Sequence, residues 1–278
     1  MRYFWAIFFI FWPILAIVVS AISPAMNWWF PGTTDASGLQ GRSATPLGVD
    51  IDNLFYLILV ITGVVFVLTQ VALGYALWTG ARQRDAGERA WFSHGSHSLE
   101  VIWTIVPVGI LLFIALYQMD VWAQYRIQSN FPERAVRAPV AEVIARQFEW
   151  RIRYPAPGKI LQQEPQPDDL YTVNDLHVPS NKPVMIQLRS GDVQHSFFVP
   201  KLRVKQDAVP GLVIPIWFEV TQADTYELLC AELCGWGHYK MKARLVAQPE
   251  AEFEKYLKNL QREQNDDGVK DEPENADE

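Results

Sequence analysis

The chain has 278 residues, 24 basic and 31 acidic side chains, a net charge of −7, and a mean hydropathy of +0.01 although half of it is hydrophobic. Residues 3–34, 53–81 and 101–119, 80 in all, contain no Asp, Glu, Lys or Arg, which excludes an ordinary cytoplasmic globule. Residues 250–278 hold 11 acidic and 4 basic groups while the rest balances at 20 of each, so there is no basic footprint for a nucleic-acid partner.

Residues 1–22 form an apolar run behind a lone Arg2, with Val19, Ser20 and Ala21 suiting cleavage. They are expected to be a signal peptide or a first transmembrane helix, since the run is long for a signal core. Residues 23–52 follow as an extracytoplasmic segment. Residues 53–81 predict a transmembrane helix, because the run exceeds what about 30 Å of hydrocarbon requires. Residues 82–97 carry Arg82, Arg84 and Arg89 against Asp85 and Glu88, and short basic-biased loops stay in the cytoplasm. Residues 98–122 predict a second transmembrane helix, with Trp103 and Trp122 placed for the two interfacial belts. Everything after Met119 then lies outside, in an oxidising compartment where two cysteines default to a disulfide.

Residues 123–249 read as a β domain. Strands are expected at 136–154, 175–189, 194–199, 213–220, 225–229 and 241–247, which are rich in Val, Ile, Phe, Tyr or Trp and separated by Pro, Gly, Asn or Asp. Short strands at this spacing predict a sandwich or Greek-key barrel. Residues 250–278 predict a short amphipathic helix, with Phe253, Tyr256, Leu257 and Leu260 on one face, followed by an acidic disordered tail from 265.

The chemistry concentrates in Cys230-Ala-Glu-Leu-Cys234-Gly-Trp-Gly-His238-Tyr-Lys-Met241 and in His195, which precedes an apolar run. Two thiolates, two imidazoles and a thioether are soft donors that select copper or zinc over calcium and magnesium. A mononuclear blue-copper site uses one Cys, two His and a weak axial Met. The second Cys here can bridge a second copper, so that both metals share two sulfurs and each takes one His. A Cys230–Cys234 disulfide and a Cys2His2 zinc site are the alternatives. Zinc leaves Met241 unused, and a disulfide leaves both histidines and Met241 unexplained. His94, His97 and His177 are expected to be structural.

The pattern C-x-E-x-C-G-x-x-H-x-x-M, the approach Asp192-Val-x-His195-Ser-Phe and the stretch Lys205-Gln-Asp207-Ala-Val-Pro210-Gly211 resemble subunit II of the haem–copper cytochrome c oxidases. The resemblance covers nearly the whole chain. It implies a membrane-anchored all-β protein: a transmembrane helical hairpin, plus a leader or third helix, followed by a cupredoxin-like Greek-key β-sandwich. It also implies that Cys230 and Cys234 bridge the two coppers of a CuA centre. His195 and His238 would each bind one, Met241 would be a weak axial ligand, and Glu232 would offer its carbonyl to copper and its carboxylate to a magnesium shared with subunit I.

Two further positions follow from the resemblance. Glu100, in His97-Ser-Leu-Glu100-Val-Ile-Trp, would help proton uptake into subunit I from the cytoplasmic side, as an ionisable group bordering an uncharged span. Many relatives carry Gln-Trp-Tyr-Trp with the first Trp facing cytochrome c, whereas this chain has Gln147-Phe148-Glu149-Trp150, so Phe148 and Trp150 are the candidates for electron uptake. Asp168, Asp169 and Asp175 could form an acidic docking face for a basic cytochrome c. The expected function is an electron-accepting subunit of a respiratory oxidase in a bacterial plasma membrane. Its partners would be subunits I and III, cytochrome c and membrane lipid, with the copper domain on the periplasmic side. The alternative from another class is a membrane-anchored extracytoplasmic copper chaperone or storage protein.

Overall fold

The computed structural model describes residues 3–26, 43–87, 89, 92 and 94–266. Most of the 23–52 segment and all of the tail beyond 266 lie outside the described residues, as do Arg2 and Glu88.

Three long helices dominate the first half: α1 (Phe4–Met26), α2 (Pro46–Asp85) and α3 (His97–Arg126). Each is long and apolar enough to cross a membrane. α1 packs on α2 at Gly74, where a Cβ would sit 2.7 Å from Ile10 Cγ1 and 3.1 Å from the Ala6 carbonyl oxygen. Glycine permits that backbone approach, as small residues do between helices in lipid. At the far end, Tyr3 donates its hydroxyl to Asp85 Oδ2 at 2.8 Å and packs its ring against Trp78. α2 begins ahead of Asn53 because the start is set by capping rather than by the uncharged run. Thr45 accepts the Gly48 N–H on its hydroxyl at 2.9 Å, and Pro46 occupies the first turn.

Residues Ser43–Asp50 group with the C-terminal unit, which otherwise starts at Trp122. The Ala44 N–H donates to the Lys201 carbonyl at 2.8 Å, the Thr221 N–H donates to Ala44 at 2.9 Å, and the Thr45 hydroxyl donates to Leu202 at 3.1 Å. After a short helix α4 (Glu133–Arg137) come ten strands: β1 (Ala141–Arg146), β2 (Glu149–Tyr154), β3 (Leu170–Val173), β4 (Asp175–Pro179), β5 (Pro183–Ser190), β6 (His195–Val199), β7 (Val204–Ala208), β8 (Ile214–Glu219), β9 (Asp224–Cys230) and β10 (Lys242–Gln248). They make two five-stranded sheets, ordered β3-β2-β1-β5-β8 and β4-β10-β9-β6-β7. Pairing is antiparallel except between β1 and β5 and between β4 and β10. Val143, Ile152, Ile186 and Leu188 from one sheet and Phe197, Leu228 and Leu245 from the other share one core, which makes the domain the β-sandwich expected of a cupredoxin-like fold.

The strand boundaries differ from the sequence expectation in three places. The 136–154 run is the last two residues of α4 followed by a hairpin, reversing at Gln147-Phe148 with Arg146 opposite Glu149. No Gly, Pro, Asn or Asp marks that turn. The 175–189 run breaks at Asn181, whose φ of 57° is a turn conformation that Asn tolerates. β3 and β7 were not expected; one is very short and the other is a polar edge strand, Val-Lys-Gln-Asp-Ala.

α5 (Glu250–Asp266) lays Phe253, Tyr256, Leu257 and Leu260 on the sandwich. Tyr256 stacks on His177 at 3.7 Å, and the Gln264 amide donates to the Tyr171 carbonyl at 2.6 Å. Inside the first sheet, wholly buried Arg153 pairs with Glu142 at 2.7 Å and Asp169 at 2.6 Å.

Candidate metal centre

Strand register builds the site. β6 runs antiparallel to β9 with Phe197 opposite Cys230, which sets His195, at the start of β6, beside the end of β9. The Ala231 N–H donates to the Ser196 carbonyl at 3.0 Å, and the Cys230 N–H donates to Met241 at 3.2 Å, closing the base of the 230–241 loop where β10 begins. One helical turn at His238–Lys240 then folds His238 and Met241 back towards the cysteines.

The donors converge. His195 Nδ1 lies 3.9 Å from Cys230 Sγ, His238 Nδ1 lies 3.7 Å from Cys234 Sγ, and Met241 Sδ lies 3.8 Å from Cys234 Sγ. The two Sγ atoms are 3.9 Å apart and both cysteines are free. The Glu232 carbonyl oxygen approaches Cys230 Sγ at 3.2 Å, while its carboxylate is part-exposed. With metal–sulfur bonds of about 2.3 Å and metal–imidazole bonds of about 2.0 Å, tetrahedral coordination spaces neighbouring donors by about 3.5–3.8 Å. The side chains therefore stand where soft metal ions take them, and the donor set fits copper.

Electrostatics favour the same occupant. Burial would raise the Cys230 thiol, but His195, the Ser196 and Glu232 backbones and His238 pull it down to about 6. Cys234 is pushed up to about 11 by burial and by the neighbouring Cys230. Two adjacent thiolates repel each other, and a shared cation removes that repulsion. Burial works against charge on His195 as well, but Cys230 and Asp192 raise it.

Several supporting residues were not singled out by sequence reasoning. Asp192 Oδ1 sits 2.8 Å from His195 Nε2, fixing the ring so that Nδ1 faces sulfur. Burial would raise the Asp192 carboxyl; His195 and the Gln147 and Val193 N–H groups outweigh it and hold it low. Gln147 spans two elements, donating its N–H to Asp192 at 2.7 Å and its side-chain amide to the Cys234 carbonyl at 2.6 Å. Gly235 has φ of 136°, and a Cβ there would come within 2.7 Å of Gln147 Nε2. The signal available in the sequence was an Asp three residues ahead of a candidate ligand His, with no chemistry of its own to explain it.

The aromatic positions separate. Trp150 is wholly buried against Phe197 and the His195 ring, at centroid distances of 5.8 Å and 6.3 Å. Phe148 is half-buried and lies edge-on to Trp236 at 5.0 Å. Glu100 is exposed in the first turn of α3. The acidic face does not form: Asp168 pairs with Lys159, Asp169 is buried on Arg153, and Asp175 pairs with Arg244 at 2.5 Å. Each carboxylate is committed to a cation within its own domain.

Residues 33–121 match the family described as cytochrome c oxidase subunit II, transmembrane domain, and residues 148–247 match its periplasmic domain. The alternative cytochrome c oxidase subunit 2 of Bradyrhizobium diazoefficiens is 31% identical over 236 residues, covering 77% of this chain and 82% of the relative. Cytochrome c oxidase subunit 2 of Cereibacter sphaeroides is 31% identical over 254 residues, covering 82% and 80%. Among solved structures, the periplasmic domain of subunit II of cytochrome oxidase from Bradyrhizobium japonicum aligns with 46% of this chain and 96% of its own, at 22% identity and a TM-score of 0.40.

Proposed function

Because this chain belongs to the cytochrome c oxidase subunit II family, we propose that its 230–241 loop and His195 hold two coppers bridged by Cys230 and Cys234. The chain is the electron-accepting subunit of a haem–copper terminal oxidase, anchored in a membrane with its β domain on the outer side. It transfers electrons; oxygen is reduced elsewhere in the complex.

The nearest-donor distances support the binuclear reading: His195 Nδ1 is 3.9 Å from Cys230 Sγ and His238 Nδ1 is 3.7 Å from Cys234 Sγ, with His238 also acting on Cys230. Cys230 and Cys234 would hold both ions, His195 and His238 would supply one nitrogen to each, and Met241 and the Glu232 carbonyl would be weak donors. A bound pair of this kind takes up and passes on one electron with little ligand rearrangement. The chain's part is to hold that geometry: Asp192 orients His195, Gln147 ties the β1–β2 turn to the loop, and buried Cys234 and Met241 keep water away. Membership of the oxidase family, rather than burial, disfavours the copper chaperone or storage reading, since Cys230 and His238 are part-exposed.

The finer assignments extend the same reading. The Glu232 carboxylate would reach a magnesium shared with subunit I. Glu100 would serve proton uptake, and Phe148 and Trp150 would line the route between the surface and His195. Subunit III, cytochrome c as donor, membrane lipid around two or three spans, and a bacterial plasma membrane complete the proposal. Cys234→Ser in the assembled oxidase tests it. Electron uptake from reduced cytochrome c should fall to background while a small chemical reductant still drives oxygen consumption; undiminished uptake would overturn the reading.

A further inference from the structure

β3 and β4 are edge strands of different sheets, yet Asn174 alone separates them in the chain. The chain passes from one sheet to the other in that single residue. Its φ of 57° is the left-handed conformation, which Asn adopts more readily than most residues that carry a side chain. Asn174 bonds in both directions. In the first sheet its N–H donates to the Trp150 carbonyl at 2.8 Å, and its Oδ1 accepts the Trp150 N–H at 2.9 Å. In the second sheet its carbonyl accepts the Arg244 N–H at 3.1 Å. Asn174 thus extends the β2–β3 ladder past Val173 and opens the β4–β10 ladder, where Asp175 stands opposite Arg244.

Both bonded residues lead to the metal ligands. The wholly buried Trp150 ring packs on His195 and Phe197. Its indole N–H has no acceptor among the described residues, so the ring is placed by its backbone and by packing. Asn174 takes both hydrogen-bonding groups of that backbone. Arg244 is three residues past Met241, whose carbonyl accepts the Cys230 N–H at 3.2 Å. Asp192 holds His195 only at Nε2, and the indole of Trp150 flanks the ring. Within the copper reading given above, we propose that Asn174 is a positioning residue for the metal centre. By bonding Trp150 in one sheet and Arg244 in the other, it sets the separation of the sheets at that corner, and with it the place of the His195 ring against Cys230. Metal–ligand distances hold to about 0.2 Å, so a displacement that folding tolerates is large for a bound ion. Asn174 acts through Trp150 and β10, not by coordination. The position calls for a short side chain with an acceptor, on a backbone that can turn left-handed.

Variants of the full chain separate positioning from folding. Asn174→Gly keeps the left-handed turn and loses the Oδ1 acceptor, whereas Asn174→Asp keeps both the turn and an acceptor. The metal-free chain, with isotope-labelled histidine, gives the first readout. The His195 ring resonance feels the ring current of Trp150; it should move in Asn174→Gly and stay at the wild-type position in Asn174→Asp. After copper loading, affinity against a competing chelator should fall about tenfold in Asn174→Gly, with altered copper hyperfine splitting, and Asn174→Asp should restore both. Denaturant unfolding is recorded alongside. An Asn174→Gly chain that loses stability but keeps the wild-type His195 resonance, copper affinity and copper spectrum overturns the proposal. Asn174→Asp behaving like Asn174→Gly overturns it too. A wild type that binds one copper or none overturns the binuclear reading instead, and the metal-free resonance then decides the role of Asn174: moved in Asn174→Gly, it sustains the role; unmoved, it overturns it.

Discussion

Asp192 Oδ1 lies 2.8 Å from Nε2 of His195, and that contact turns the other ring nitrogen towards Cys230. The same carboxylate accepts N–H groups from Gln147 and Val193, so its position is fixed from two strands' ends. Asp192→Asn keeps the size but can no longer anchor the same imidazole tautomer. Copper affinity, measured against a competing chelator on the full chain, should fall about 10–100-fold, in line with the loss of a carboxylate that orients a ligand. Unchanged affinity would mean that the ring is held by packing alone.

Gly237 should tolerate no side chain while Phe148 is present. An added Cβ would sit 2.6 Å from the Phe148 ring, so Gly237→Ala must displace either the β1–β2 turn or the metal loop. The expected cost is about 1–3 kcal/mol of stability, with lowered copper affinity. Phe148→Ala should restore much of both in the double variant. Equal losses with and without Phe148 would contradict the clash.

Arg153 is wholly buried between Glu142 and Asp169 and also donates to the Gln162 carbonyl at 3.0 Å. Arg153→Met removes the cation and leaves two carboxylates in the core without it. Thermal or denaturant unfolding of the purified chain should show a loss of about 3–5 kcal/mol. The metal loop does not touch this cluster, so the ligand spectrum of the folded fraction should be unchanged.

Acid stability should depend in part on Asp175. Burial alone would raise its carboxyl, but His177 and Arg244 beside it hold it well below the usual carboxylate range. A depressed folded value adds stability that is present above the unfolded value and lost as pH falls through the folded one. Asp175→Asn should therefore be less stable near neutral pH by about 1 kcal/mol or less, because Arg244 is largely exposed. The difference from wild type should shrink below about pH 4. A difference constant down to pH 3 or so would assign the effect to packing of Tyr256 on His177 instead.

The ligand pattern was legible because coordination chemistry fixes spacing within one loop: Cys230, Cys234, His238 and Met241 must be close in sequence to be close in space. His195 was legible from its approach sequence. The partners that hold those ligands were not, because folding brings them from afar. Gln147 reaches Cys234 across 87 positions, and Ala44 is bonded to Lys201 and Thr221 from the other end of the chain. The hairpin at Gln147-Phe148 was hidden by a turn lacking the usual turn residues. The acidic docking face failed for a related reason: Asp168, Asp169 and Asp175 read as exposed loop charges until their cations, Lys159, Arg153 and Arg244, are seen beside them.

Two coppers sharing Cys230 and Cys234 would leave a distinct signature. The most direct measurement is metal analysis with EPR on the purified full-length chain loaded with copper. The expected result is two coppers per chain and a seven-line signal from one electron shared equally by two copper nuclei. One copper with an ordinary four-line signal, or zinc retained against copper, would contradict it.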